Sequence, residues 1–324
     1  MGLKSLLASS SAMNYDDACA RKNNTTCPIE THTVKANNLV FEVDMCGTGK
    51  RLALCLHGFP ELAFSWRYQL PLLAQLGYRA WAPNLRGYGR TSRPPLISDY
   101  TIDHLVADVV GLVDAAKPQS VLLVGHDWGG AVAWQTAIRH PSQIDRLVIM
   151  NMPHPACFRN GLRKWRQLLR SWYIAAFQIP IIPELVLGAR HAWLVGELIA
   201  DTAVDPSRFP PSVLNIYRNA AASRQTLKAM LNYYRALQLN TWSPATSELE
   251  DRPIKTPTLL IWGEEDVALG SDLLIGTDRY VQNLTVRTIP GVSHWVQQEA
   301  PETVNVLLET WLSNQPPPQF RKHG

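Results

Sequence analysis

The chain has 324 residues, 46% hydrophobic and 18% charged, with 31 Lys and Arg against 27 Asp and Glu and a net charge of +4. That apolar content supplies a sizeable core for one large α/β domain or two ordinary ones, and it excludes disorder for most of the length. With no basic run, the slight positive balance excludes the electrostatic footprint of a nucleic-acid binder.

Residues 1–30 are rich in Ser, Asn, Asp and Thr without periodicity and are expected to be a flexible extension. Residues 39–43 (LVFEV) put Leu39, Phe41 and Val43 on one face, and 51–56 (RLALCL) form an apolar run that ends at His57-Gly58; both are predicted strands. A helix is predicted over 64–76, a strand over 79–83 (RAWAP) and a helix over 102–116. A buried strand at 121–124 (VLLV) then leads straight into Gly125-His126-Asp127-Trp128-Gly129-Gly130 and a helix over 131–139. Strands alternating with helices imply a mostly parallel sheet covered on both faces.

The pattern changes after a strand at 147–150 (LVIM): from 156 to 245 the apolar residues recur at helical spacing. Alternation resumes with strands at 258–262 (TLLIW) and 284–288 and closes with a helix over 301–313. One α/β core, 31–155 and 246–314, with an inserted helical cap, 156–245, is simpler than two sequential domains; the last residues, 315–324, are a loose end. The cap holds eleven Lys and Arg against four Asp and Glu, a net +7 that leaves −3 for the rest of the +4 chain. Because these charges are spread over several helices, a solvated face is expected, with an anionic partner or a lipid surface as the alternative.

Other signals bound the setting. Cys19, Cys27, Cys46, Cys55 and Cys157 are odd in number and lack zinc or redox spacing, as in a reduced intracellular protein without structural zinc. Residues 1–13 are too weakly apolar for a signal peptide, and Leu6 stands where a myristoylation site needs Ser or Thr. The longest apolar stretch, 171–183, is too short to span a bilayer and is interrupted by Pro180. A soluble, cytoplasmic protein is expected. Sequons at Asn24 and Asn283 do not alter that, since such triplets recur by chance.

Strand, then G-H-D-W-G, then helix is the layout of a nucleophile elbow, with Asp127 where esterases have serine. Side chains at Gly125 or Gly129 would crowd so sharp a turn, and the helix N-terminus behind it favours an anion. An aspartate there is already ionised, needs no base, and can displace at saturated carbon to give an alkyl ester. Water activated by a histidine must then attack the ester carbonyl while two backbone donors hold the oxyanion. Taken alone, Asp127 is as readily a helix N-cap.

Two later elements decide between these. Strand TLLIW runs into Gly263-Glu264-Glu265-Asp266, and strand TVRTI is followed by Ser293-His294-Trp295, so an acid and a histidine follow at the same sheet edge. Nucleophile, acid, histidine is the α/β-hydrolase order. Asp266 is preferred over Glu264 and Glu265 as the acid; Asn151, at the end of LVIM, holds another strand end but cannot ionise. His126 is expected to pack the turn. In His57-Gly58-Phe59-Pro60-Glu61, the Phe59 amide is the first expected oxyanion donor, with Pro60 suited to the tight turn that fixes it; the Trp128 amide is the second.

At these residues the chain resembles the epoxide hydrolases of the α/β-hydrolase superfamily, in the cap-containing branch with an aspartate nucleophile. The resemblance runs from about residue 33 to 312, carried by HGFPE, RGYG, GHDWGG, PHP, WYIAAFQ, NYYRA, GEED and SHW. It implies the α/β-hydrolase fold, attack of Asp127 on an epoxide carbon to give a vicinal diol, and two cap tyrosines holding the ring oxygen. By motif these are Tyr173, before the Phe-Gln pair, and Tyr234, in Asn-aromatic-Tyr-Arg. A phenol with an ordinary pKa of about 10 suits the role, since it donates while staying protonated near neutral pH.

His57, Pro60 and Trp295, in the same motifs, are expected to line the pocket. The 11 Trp include Trp128, Trp262 and Trp295 near the site and Trp165, Trp172, Trp193 and Trp242 in the cap, which predicts an aromatic-walled pocket for a small lipophilic epoxide and water. Arg86 is expected to be a structural loop residue, and Tyr217 and Tyr280 have no motif support. No Walker A, dinucleotide fingerprint or H-E-x-x-H occurs, so no cofactor or metal is expected. The chain is expected to be a monomer or homodimer. The rival activity is a haloalkane-type dehalogenase using the same aspartate, although those enzymes usually carry Asn where Phe59 stands and need no tyrosine pair.

Overall fold

In the computed structural model, which describes residues 27–239 and 248–320, the strands build one eight-stranded sheet in the order β1-β2-β4-β3-β5-β6-β7-β8. They are β1 Glu30–Ala36, β2 Leu39–Cys46, β3 Arg51–Leu56, β4 Tyr78–Pro83, β5 Val121–His126, β6 Arg146–Met150, β7 Thr258–Gly263 and β8 Leu284–Ile289. β1 and β2 pair antiparallel, as do β2 and β4; all other pairings are parallel. Strand alternation sends Leu54, Leu56, Leu123, Ile149 and Trp262 to one face of the sheet and Ala53, Cys55, Val124, Val148 and Ile261 to the other. Two cores result, which is why these strands read as continuous apolar runs.

The helices are α1 Gln69–Gln75, α2 Ile102–Ala116, α3 Asp127–Arg139, α4 Pro155–Gly161, α5 Trp165–Arg170, α6 Trp172–Ala176, α7 Ile182–Thr202, α8 Pro211–Ala221, α9 Arg224–Arg235, α10 Val296–Glu299 and α11 Pro301–Leu312. The helix expected over 64–76 is divided: a 3₁₀ turn, Ala63–Trp66, precedes α1, whose first turn holds Pro71, a position that tolerates the missing N–H. α3 starts at Asp127 rather than at residue 131, because Gly129 and Gly130 continue the helix instead of preceding it. Between β6 and β7 the described residues form helices, chiefly α4 to α9, and turns, apart from an isolated bridge from Ile254 to Val281. The 245 end of the expected cap, Trp242 and most of the 1–30 extension lie outside the described residues, whereas the 156 end falls within α4.

One strand is added and one expectation is corrected. β1 is a strand that periodicity does not reveal, since ETHTVKA is an edge strand whose side chains are nearly all exposed. The described part of the tail is tied down: Arg287 donates to Pro317 O at 2.8 Å, and Phe320 packs against the second core. Among the described residues no helix is long and apolar enough to cross a membrane.

Candidate active site

The carboxyl ends of β3, β5, β6, β7 and β8 meet at one edge of the sheet, where parallel α/β folds bind ligands. Asp127 sits on the turn from β5 into α3 with φ +48°, a left-handed conformation that a side chain adopts at a cost of about 1–3 kcal/mol. Its glycine neighbours are sterically required. A Cβ on Gly129 would lie 2.1 Å from Leu56 O, one on Gly125 2.4 Å from Gly129 O, and one on Gly58 2.4 Å from Asp127 Cβ.

Asp127 Oδ1 accepts the Phe59 amide at 2.8 Å, and Oδ2 lies 3.6 Å from His294 Nε2, an ion-pair contact. His294 Nδ1 is 2.6 Å from Asp266 Oδ2. Asp266 Oδ1 accepts the amides of Ala268 and Leu269 at 2.8 Å each. Asp127, Asp266 and His294 therefore form one buried chain, with the Phe59 amide on Asp127 and the Trp128 amide in the first turn behind it.

Burial opposes charge on all three groups, yet mutual attraction overrides it. Asp127 is held below the ordinary carboxylate value by the facing His294, and Asp266 likewise by His294 and Asn151. His294, between two carboxylates, is held well above the ordinary imidazole value. Burial, and then the Asp127 charge, pushes the Tyr173 and Tyr234 phenols up, so both are protonated.

A cavity of about 220 Å³ opens over Asp127. Asp127, Trp128, Tyr173 and Tyr234 line it together with Met152, Phe158, Ile174 and Leu269. The two tyrosine rings lie edge to face at 5.9 Å, and Tyr234 also abuts Trp128 at 5.2 Å. The wall follows one stripe of α3 from Asp127 through Ala131 and Gln135 to Arg139, roughly 18 Å at 1.5 Å per residue. Its far end is polar, where Arg139 pairs with Asp103, and Gln135 donates to Glu250 at 2.6 Å. Among the described residues, no group of three or more His, Cys, Asp or Glu is placed to hold a metal ion.

Several expected pocket residues lie elsewhere. His57 is fully buried, with Nδ1 2.8 Å from Gly58 O and Nε2 accepting the Leu85 amide at 3.0 Å; burial lowers its pKa to about 4. Pro60 is buried and is not in the cavity wall. Trp295 packs behind His294 and donates to Thr202 Oγ1 at 2.9 Å. These three support the loops that carry the site. Among the described tryptophans only Trp128 is in the cavity wall; Trp165 and Trp172 are 67% and 68% exposed on the outside of the cap. Arg86 forms a buried two-pronged pair with Asp108, at 2.6 and 2.7 Å, as a structural loop residue would.

Sequence reasoning missed the supports. Glu61 accepts four N–H or ring-nitrogen contacts at 2.7–2.9 Å, from Gly58, His126, Gln297 and Gln298. His126 in turn reaches His294 O at 2.9 Å, so one buried carboxylate joins the Phe59 loop, the elbow and the histidine loop. The available signal was an acid inside the apolar stretch FPELAF, which must be paired if buried. Asn151, which cannot ionise, acts on the acid instead. It donates to Asp266 Oδ2 at 2.7 Å and accepts the Gly263 amide at 3.0 Å.

Asn151→Ala leaves the Gly263 N–H unsatisfied, for which about 1–3 kcal/mol of stability is expected to be lost. It also removes a donor that keeps Asp266 charged. Asp266 then protonates at higher pH, and the acid limb of the kcat profile moves up; an unmoved limb would show that Asn151 only packs.

An α/β hydrolase, with a buried Asp127–His294–Asp266 chain at the edge of its sheet, is the class that this fold defines. The family model described as the alpha/beta hydrolase fold matches residues 54–301. The chain is 36% identical to human "Epoxide hydrolase 4" over 289 residues, 87% of this chain and 78% of that protein. It is 34% identical to the "AB hydrolase superfamily protein YfhM" of Bacillus subtilis over 89% of this chain and 99% of the relative. A crystal structure of an epoxide hydrolase from Vigna radiata superposes with a TM-score of 0.79 at 31% identity, covering 91% of this chain and all of that one. The chain belongs to the α/β-hydrolase family and, within it, to the epoxide hydrolases.

Proposed function

We propose that epoxide hydrolysis runs through a covalent ester on Asp127, and that Tyr173 and Tyr234 select an ether oxygen over a halide as the leaving group. The observation that carries this reading is the meeting of Asp127, Tyr173 and Tyr234 in one cavity wall, with His294 and Asp266 behind the carboxylate. Asp127 attacks an epoxide carbon, the C–O bond of the ring breaks, and the departing oxygen takes a phenolic proton. His294 removes a proton from water as the hydroxide adds to the ester carbonyl, and the Phe59 and Trp128 amides hold the oxyanion; His294 gives that proton to the departing diol oxygen, the carboxylate re-forms, and the second proton of the water restores the phenol. A halide leaves already stable as an anion and gains little from two phenols, so the tyrosine pair disfavours the dehalogenase reading. The apolar stretch of the cavity fits a small lipophilic epoxide.

A single turnover in heavy-oxygen water tests the ester. The label should enter Asp127 peptides and not the first diol, because water attacks the carbonyl carbon of the ester; label found directly in the diol would refute it.

The electrostatics add a pH prediction. In the free enzyme, the Asp127 charge is one of the influences that raise the His294 pKa. Esterification removes that charge, so His294 should lose its proton more readily in the alkyl-enzyme, when it must act as base. Ester hydrolysis should therefore fail only at a pH below that at which His294 titrates in the free enzyme. Coincidence of the acid limb of single-turnover hydrolysis with the free-enzyme NMR titration of His294 would reject this.

A further inference from the structure

The outer face of the cap is apolar where a solvated face is expected. α5 and α6 follow one another across Ser171, and their inner side is fixed by Gln167, which is buried and donates to Ala268 O at 2.9 Å and to Ser171 Oγ at 3.0 Å. The other side presents Trp165, Leu168, Leu169 and Trp172, each at least 60% exposed. Their i, i+3, i+4, i+7 spacing is an amphipathic stripe with its apolar side turned to water. Ile179, Ile181, Ile182, Leu185 and Val186 continue the exposure into the start of α7. Scattered exposed hydrophobics are ordinary, but nine large ones between 165 and 186 mark an interaction surface.

Charge identifies the occupant. From 163 to 193 the cations are Arg163, Lys164, Arg166, Arg170 and Arg190, all exposed. The one acid, Glu184, is buried in a pair with Arg235 at 2.7 Å; Lys164 and Arg170 reach the 266–272 loop of the core, at Asp272 Oδ2 and Asp266 O, at 3.3 and 3.5 Å. Trp, Leu and Ile on one face, flanked by Arg and Lys, is the composition of a helix lying in the bilayer interface, with its cations among anionic headgroups.

We propose that this face, α5 and α6 with the start of α7, docks the enzyme on the surface of an anionic phospholipid bilayer. The net +7 of the cap segment against −3 for the rest of the chain orients the molecule cap-first. Tyr173 follows Trp172 directly and lines the cavity, so docking brings the cavity beside the phase into which lipophilic epoxides partition. The docking does not depend on the reaction assigned to Asp127.

Co-sedimentation of the full chain with vesicles tests it. Binding is expected to phosphatidylcholine vesicles containing roughly one-third phosphatidylglycerol, weakly or not at all to phosphatidylcholine alone, and to fall steeply with added salt. Arg163→Glu with Arg166→Glu should weaken it about fivefold for each cation lost. Leu168→Ser with Leu169→Ser should remove it, while turnover of a water-soluble epoxide without vesicles is unchanged. Since the two double variants alter different chemistry, a folding defect in one, read by circular dichroism, leaves the other decisive. No binding to the anionic vesicles, or binding that both folded variants retain, overturns the proposal. So does a concentration-dependent dimer that the Leu variant abolishes, for then a second copy covers the face.

Discussion

Asp127→Asn is expected to lower epoxide turnover by about 10⁴-fold or more, and His294→Phe to stop the enzyme after its first chemical step. The two effects differ in kind. An amide oxygen at position 127 is a neutral, weak nucleophile, so no adduct forms. In His294→Phe the carboxylate and both cap phenols are intact, the ester forms, and nothing activates water to remove it. Intact-protein mass spectrometry should then show a species heavier by the whole mass of the epoxide, because ring opening expels no fragment. A haloalkane would instead add its mass less that of the hydrogen halide, so the same measurement separates the two leaving groups. Rapid steady turnover in His294→Phe, with no adduct, would sink the role given to His294.

Why these residues could be read ahead of the structure is a matter of where they stand. β3, β5, β6 and β7 are buried on both faces and so are written as apolar runs, and Asp127 and Asp266 each follow the end of such a run, whereas His294 follows β8, LTVRTI, which is only half-buried. Each such residue could singly be a cap or a loop residue, but the three in order at one sheet edge point to one site. β1 has no such signature, since an edge strand that leaves most of its side chains in water needs no apolar pattern.

Membership of a motif also fails to say which side of the backbone faces the cavity. His126 and Asp127 are neighbours, but one reaches back to Glu61 and the other lies in the cavity wall. His57 and Trp295 were misplaced for the same reason, as were Trp165 and Trp172: helical spacing shows that a stripe exists, not whether it faces the core or the solvent. Glu61 and Asn151 act through contacts to distant segments, which spacing along the chain does not encode.

Tyr173→Phe with Tyr234→Phe is expected to reduce epoxide turnover by about 10³-fold or more, and each single change by about 10- to 100-fold. An alkoxide is a far poorer leaving group than a halide, so alkylation of Asp127 depends on a proton or a strong hydrogen bond arriving as the ring opens. Both phenols are protonated for a stated cause: burial, and then the Asp127 charge, holds their pKa values up. The same charge is consumed as the ester forms, so a phenol becomes more willing to release its proton as the alkoxide develops. That coupling makes the loss fall on the alkylation rate. Hydrolysis of an ester already formed should be nearly unchanged in the double variant, because the Phe59 and Trp128 amides, not the phenols, are assigned to the second oxyanion. Stopped-flow Trp fluorescence, with Trp128 5.2 Å from the Tyr234 ring as reporter, can follow the two steps separately. If the double variant alkylates at the wild-type rate, the two tyrosines are packing residues and the leaving group must find its proton elsewhere.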